Sequence, residues 1–381
     1  MNKILLFLLL PLIISGCSLF GKEDDPAITP AVLQDIAAEV ELKRLWTAKV
    51  GVKKEDYLIT LRPFVSKERL ITADYEGKIV SLNPETGKQI WDINLETSLS
   101  GGVGYGFGKV YVASLEGKVF ALNADNGDVI WSSNVSSEVI SRPSSNGKVV
   151  IVNSIDNQMT ALDVSDGSLV WKHDGDAPIL SVRGVSDAIV TDNMVIAGFD
   201  SGKLIAFNSS NGSISWETRV ALPKGRTELE RMVDIDGAPI LVGDVIYVVS
   251  YQGKVAAYSR GTGSSLWFQD ASSHKSPAHH KNQVFITDED DSVIALNSGN
   301  GRVEWSNNDL FLRKLTGPAI VSNYVAVADF EGYVHLLDST DGSFKGRIKV
   351  DRGGISAPLS SYKDILYIHS NKGLLSAYEI Q

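Results

Sequence analysis

The stretch Gly117 to Trp131, GKVFALNADNGDVIW, recurs down the chain and leaves little freedom in how the chain can fold. It holds a Gly, alternating apolar residues, an Asn or Asp, a turn Gly ten residues after the first, and a Trp four residues later. Copies begin at Gly77, Gly117, Asn157, Gly202, Gly253, Asp291, Gly332 and Gly373. In the first seven the closing position always lies fourteen residues on: Trp91, Trp131, Trp171, Trp216, Trp267, Trp305 and, in the seventh, Gly346 instead of Trp. Upstream stands a second column, Pro63, Gly104, Pro143, Ala188, Pro239, Pro277, Pro318 and Pro358, each followed seven residues later by an apolar residue.

A period near 40 residues with four short alternating segments is the pattern of one β-propeller blade. Eight copies predict an all-β fold, an eight-bladed β-propeller of four-stranded antiparallel blades. Strand A starts at the Pro column, B spans segments such as Lys109 to Ala113, C Lys118 to Asn123, and D Asp128 to Trp131. Between C and D stand Thr86-Gly87, Asn126-Gly127, Asp166-Gly167 and Asn211-Gly212. Glycine supplies the positive φ of such turns without a Cβ clash. The Trp is expected to end strand D and to pack between neighbouring blades.

After Gly373 the chain reads LLSAYEIQ, so the last copy has a strand C and no strand D. Left so, the ring would expose an unpaired edge. Leu42 to Trp46 has the Trp and no strand C before it. This N-terminal strand is therefore expected to complete the last blade and close the ring.

The expected organisation is a signal peptide over 1–16, a lipidated tether over 17–40 and the propeller over 41–381, one domain despite its length. Lys3, the apolar run Ile4 to Ile14 and Ser15-Gly16 have the order of a cleaved secretory signal. The apolar run is short for a membrane span. Ile14-Ser15-Gly16-Cys17 resembles a bacterial lipobox, which implies cleavage before Cys17 and acylation of its thiol, palmitate included. Ser18, where an Asp would retain such a lipoprotein at the inner membrane, implies sorting to the outer membrane, and several acyl chains make the anchor stable. Gly21 to Pro26 is polar and reads as flexible, and Ala31 to Val40 as a helical turn or two. A net charge of −10 without a basic run disfavours nucleic acid and anionic headgroups as partners. The single cysteine excludes a disulfide within the chain.

Function is sought in the D-to-A connections, where length varies. Most span 10 to 13 residues from the Trp to the Pro column, but Trp46 to Pro63 and Trp171 to Ala188 span 17, and Trp216 to Pro239 spans 23. Insertions gathered on one face mark a binding face. The last two of these are consecutive. Leu180 and Val182 beside Arg183, facing Asp234 and Asp236, have the composition of a protein interface, with Arg231 in the same second connection. Alternatively, Leu180 and Val182 begin a strand A and the charges pair within the loops.

The repeat A-L-x-x-x-x-G-x-x-x-W, as in Ala121 to Trp131, looks like that of pyrroloquinoline-quinone-type propellers. With the lipobox, the N-terminal closing strand and Gly225 to Pro239, the chain resembles the BamB family of outer-membrane-protein assembly factors. That resemblance implies a lipoprotein of the BAM complex at the periplasmic face of the outer membrane, binding the POTRA domains of the barrel subunit BamA. It carries over Leu180, Val182, Arg183, Asp234 and Asp236 as BamA-binding positions.

Rival readings remain. Quinone-dependent dehydrogenases of this propeller class present an adjacent Cys pair and Ca²⁺ ligands; here there is no second Cys, and Asp288 to Asp291 lacks calcium-loop spacing and reads as a solvated turn. No cofactor is expected. His274, with His279 and His280 placed in an A-to-B turn, lacks spaced partner ligands, so no metal is expected either. Gly101 to Gly108 reads as a strand A and its turn, not a nucleotide-binding loop, because no helix follows. Other binding modes are a peptide or glycan in the central channel, and unfolded outer membrane proteins added as strands to the outer D edges.

Overall fold

The computed structural model describes residues 29–51, 61–176, 180 and 184–381. Cys17, Val182 and Arg183 lie outside them, as does the 1–16 segment. Among the described residues the chain forms thirty-two strands and no helix, gathered into eight four-stranded antiparallel sheets. Each sheet is one blade, with its A strand at the central cavity. In blade 2 the strands are A Leu99–Gly106, B Lys109–Ser114, C Lys118–Asn123 and D Val129–Asn134. Strands B and C read as apolar runs because both their faces are covered. In blade 1, Ile79 joins the cluster shared with blade 2 while Val80 joins the one shared with blade 8. Period-two alternation thus feeds two cores at once, and eight apolar clusters result, one per seam.

Seven Trp side chains join the blades. Each indole Nε1 donates to a carbonyl at the C-to-D turn of the next blade: Trp46 to Pro84 at 2.9 Å, Trp91 to Ala124 at 2.9 Å, Trp131 to Val164 at 3.0 Å and Trp171 to Ser209 at 2.9 Å. Trp216 reaches Arg260 at 2.8 Å, Trp267 Ser298 at 2.7 Å and Trp305 Ser339 at 3.0 Å. The ring lies under that turn's glycine. A Cβ on Gly167, whose φ is +74°, would fall 2.6 Å from Trp131 Cε3, so glycine is required both for its backbone and for the close approach.

Strand D runs on to Asn134 rather than ending at Trp131. Its ladder continues because Lys118 to Phe120 of strand C pair with Asn134 to Ser132. A bulge interrupts it before the Trp: Ala121 pairs with Trp131 and Leu122 with Val129, leaving Ile130 as the extra residue. It turns Ile130 outward, 43% exposed, and Trp131 inward. The same shift occurs in all eight D strands.

The ring closes as expected. Leu42–Lys49 pairs antiparallel with Leu374–Ile380, from Leu42 opposite Ile380 to Lys49 opposite Leu374. Blade 8 thus joins two distant segments where other blades have a C-to-D turn, and the seam from blade 7 offers no turn for a Trp to underlie. Gly346 fits that seam: Glu39 N and Val40 N donate to the Lys345 carbonyl at 2.8 and 3.0 Å, and a Cβ on Gly346 would fall 2.8 Å from the Val40 carbonyl oxygen.

Residues 31–40 are extended along blades 6 and 7, not helical. Their polar groups are taken by the ring: Ala31 N donates to the Phe311 carbonyl at 2.9 Å, Arg313 Nη1 to the Ala31 carbonyl at 2.8 Å, and Arg347 Nη1 to the Gln34 carbonyl at 2.6 Å. Beneath them Arg313 Nε donates to Asp329 Oδ2 at 2.8 Å, and His335 Nε2 lies 3.1 Å from the same oxygen. Arg347 Nε donates to His335 Nδ1 at 2.9 Å. Burial lowers the His335 pKa, in keeping with a neutral ring that accepts at Nδ1 and donates at Nε2.

Trp131→Ala is expected to cost about 3–5 kcal/mol of stability, read as a lower urea midpoint at unchanged m-value. Gly346→Trp, which restores the repeat, is expected to destabilise, because the ring meets the Val40 carbonyl. Limited proteolysis should then cut within residues 29–41 before the ring unfolds.

Candidate partner-binding face

Because successive strands alternate in direction, all D-to-A connections and B-to-C turns share one face of the ring. The long connections after blades 3 and 4 are neighbours on it. The second is organised by Glu230, whose carboxylate accepts from Arg226 N at 2.6 Å and Thr227 N at 3.1 Å, while Thr227 Oγ1 accepts from Glu230 N at 3.2 Å. These backbone donors lower the Glu230 pKa, and the reciprocal cap shapes a tight tip without a helix. Gln252 Nε2, from the B-to-C turn of blade 5, donates to the Leu229 carbonyl at 3.2 Å. Residues 224–231 are exposed, Leu229 by 60%, and Leu222 ahead of them by 61%. Past the tip, Met232, Val233 and Ile235 are buried, Ile235 in the seam between blades 4 and 5.

In the first connection Lys203 Nζ holds Asp176 at 3.0 Å and Leu180 is 44% exposed. Its return begins at Gly184, where a Cβ would fall 2.2 Å from the Asp236 carboxyl carbon. No larger residue fits there, so the two connections meet at Gly184 and Asp236.

Leu180 and Arg231 therefore stand on the exposed face, and Val182 and Arg183 fall outside the described residues. Asp234 and Asp236 lie beneath the face instead of on it. Asp234 is 0% exposed and held by contacts within the chain. The physical reason is their alternation with Val233 and Ile235, whose burial draws the segment inward. The Asp236 carboxylate oxygens are covered and have no hydrogen-bond partner among the described residues. Burial, with Asp234 and Asp200 nearby, pushes the Asp236 pKa up to about 8, so it is largely protonated at neutral pH. Leu222 and Leu229 are additions to the sequence reading. The signal for the tip was Thr227-x-x-Glu230, a capping-box pattern enclosing the one apolar residue of 224–231.

The other nominated groups sort differently. His279 and His280 are in strand A, Ala278–His280, not in the turn after it. Among the described residues no three of His, Cys, Asp or Glu gather to hold a metal ion. Asp288 to Asp291 is a B-to-C turn, but Asp291 is buried: its carboxylate binds Lys275 Nζ at 2.8 Å and accepts from Lys314 N and Leu315 N at 2.6 and 2.9 Å. The turn is thus solvated only in part, since Asp291 ties the next connection down.

Asp236 makes stability depend on pH. Its folded pKa is raised from 3.8 to about 8, so within that window the folded protein holds a proton that the unfolded chain has released, and stability falls as pH rises. Asp236→Asn is expected to flatten that decline, raising Tm near pH 8 and leaving it unchanged below about pH 4. Melting curves across the window check this.

The fold is shared with a quinohemoprotein alcohol dehydrogenase from Comamonas testosteroni, at 12% identity and a TM-score of 0.65, covering 90% of this chain and 76% of that one. Identity so low speaks for the propeller alone. The crystal structure of BamB from Moraxella catarrhalis matches at 27% identity and a TM-score of 0.81, over 89% of this chain and all of that one. Outer membrane protein assembly factor BamB of Pseudomonas aeruginosa is 49% identical over 374 residues, 98% of each chain. The model of the family described as outer membrane protein assembly factor BamB matches residues 43–307. The chain belongs to the BamB family of outer membrane protein assembly factors.

Proposed function

We propose that the chain is a non-catalytic scaffold of the BAM complex, lipid-anchored through Cys17 at the periplasmic face of the outer membrane of a Gram-negative bacterium. Its face with the two long connections binds the POTRA domains of BamA and so aids folding and insertion of outer membrane proteins. The observation that carries this reading is the set of exposed apolar residues, Leu180, Leu222 and Leu229, with Arg231, on adjacent connections tied to the ring. Exposed apolar residues grouped on one face, with arginine beside them, have the composition of an interface core. Val182 and Arg183 are nominated for the same contact by the family resemblance, and Asp234 and Asp236 support the surface from below by keeping the two connections together. Unfolded outer membrane proteins add to the outer D strands, except at blade 7, where residues 39 and 40 already use the Lys345 carbonyl.

The test is a pull-down from detergent-solubilised membranes with the intact lipoprotein and with Leu180→Ala/Arg183→Ala, folding checked by circular dichroism. The intact chain is expected to recover a large barrel protein and the folded variant to lose it by roughly tenfold or more, as for central interface residues. Equal recovery would move the interface elsewhere on the ring.

A further inference from the structure

The position immediately before the Pro column borders the axis of the ring in blade after blade. In blades 5, 6 and 7 it is small: Ala238, Ser276 and Gly317. In blades 1, 3 and 4 it is charged: Arg62, Arg142 and Asp187. Small residues on one side and long ones on the other leave a cavity of about 660 Å³ on the axis.

The charges in this cavity do not cancel. Asp187 is committed to Arg142, accepting from its backbone N at 2.6 Å and lying 3.4 Å from its Nε. Lys275 also borders the cavity, but its Nζ is held on Asp291. Burial lowers the pKa of His274, which leaves that ring neutral, and Asp236 is largely protonated at neutral pH. Arg62 remains. Its backbone is clamped to blade 2, donating to the Gly102 carbonyl at 3.0 Å and accepting from Val103 N at 3.0 Å. Its guanidinium has no hydrogen-bond or ion-pair partner among the described residues. The same holds for the Nη groups of Arg142. Burial, with Arg142 nearby, pulls the Arg62 pKa down to about 10. A chain of net charge −10 thus lines one axial cavity with two arginines that repel each other, Asp187 offsetting that repulsion in part.

We infer that the channel is a binding site for a small oxyanion, carboxylate or phosphate, gripped between the forks of Arg62 and Arg142. A guanidinium matches either group with two parallel hydrogen bonds, and low-dielectric walls focus its field on a counter-ion. The ligand also relieves the repulsion between the two cations. The two arginines stand just before the A strands of blades 1 and 3, and the long connections lend the wall Asp187, Asp236 and Ala238 but none of their exposed residues, so the site is tested separately from the partner-binding face.

The experiment is calorimetric titration of the detergent-solubilised full chain at low ionic strength with citrate and, separately, with inorganic phosphate. Saturable one-site binding of either supports the inference, citrate pointing to a carboxylate ligand and phosphate to a phosphoryl one. Arg62→Gln is expected to weaken binding roughly ten- to a hundredfold, the value of a charged hydrogen-bond pair. Arg62→Lys should recover only part, since an ammonium cannot form the fork. Ala238→Glu, which puts a carboxylate into the cavity from the opposite wall, should abolish binding without touching either arginine, and Leu180→Ala should leave it unchanged. Absence of saturable binding for both anions, or equal affinity in Arg62→Gln, would overturn the inference.

Discussion

An indole N–H bonded to the carbonyl of the next blade's turn, with its ring beneath that turn's glycine, is the contact on which the ring depends. It recurs from Trp46 to Trp305. For it to form, the bulged D strand and the C-to-D turn must present Trp and glycine at the same depth in every blade. One inserted residue between them would rotate the Trp out of the seam. The spacing of fourteen residues is therefore invariant, and variation is pushed into the D-to-A connections, which carry no such contact. Rigidity in one part of the repeat is what makes another part free to acquire a binding role.

The seam between blades 7 and 8 follows from the same contact by its absence. Blade 8 is built from Leu42–Lys49 and Leu374–Ile380, so it has no C-to-D turn, and a Trp at position 346 would have nothing to lie under. The segment leading into Leu42 crosses there, bonded to Lys345 and lying on the Arg313, Asp329, His335 and Arg347 network. Closing the ring with the N-terminal strand also fixes the start of the described chain beside blades 6 and 7, through Ala31 and Phe311.

On the face with the long connections, two leucines stand outside and two aspartates inside, against the usual preference of each residue type. Leu180 and Leu229 face solvent while Asp234 and Asp236 are covered. The cost of covering the acids is reduced by protonation of Asp236. What is gained is that the two connections approach closely at Gly184, so the patch is held in shape before any partner arrives, which lowers the ordering cost of binding.

The repeat, the four strands per blade, the eight-fold ring and its closing strand were all legible in the sequence, because they rest on spacing, alternation and glycine turns, which are local and repeated eight times. The two important connections were legible as well, as departures in length. The bulge at Ile130 was not, since a residue that is extra in every copy leaves the spacing of the Trp column unchanged. Nor was the fate of individual side chains: Asp234 and Leu229 sit five residues apart in one connection, and only the packing of Ile235 into a seam decided that the acid is buried and the leucine exposed. Arg62 and Arg142 belong to blades 1 and 3 and share only the axial cavity, because a ring brings equivalent positions of separate repeats to one axis. Periodicity determined the fold from sequence alone; which residues face solvent, which face the channel and which face each other was decided by the closed tertiary structure.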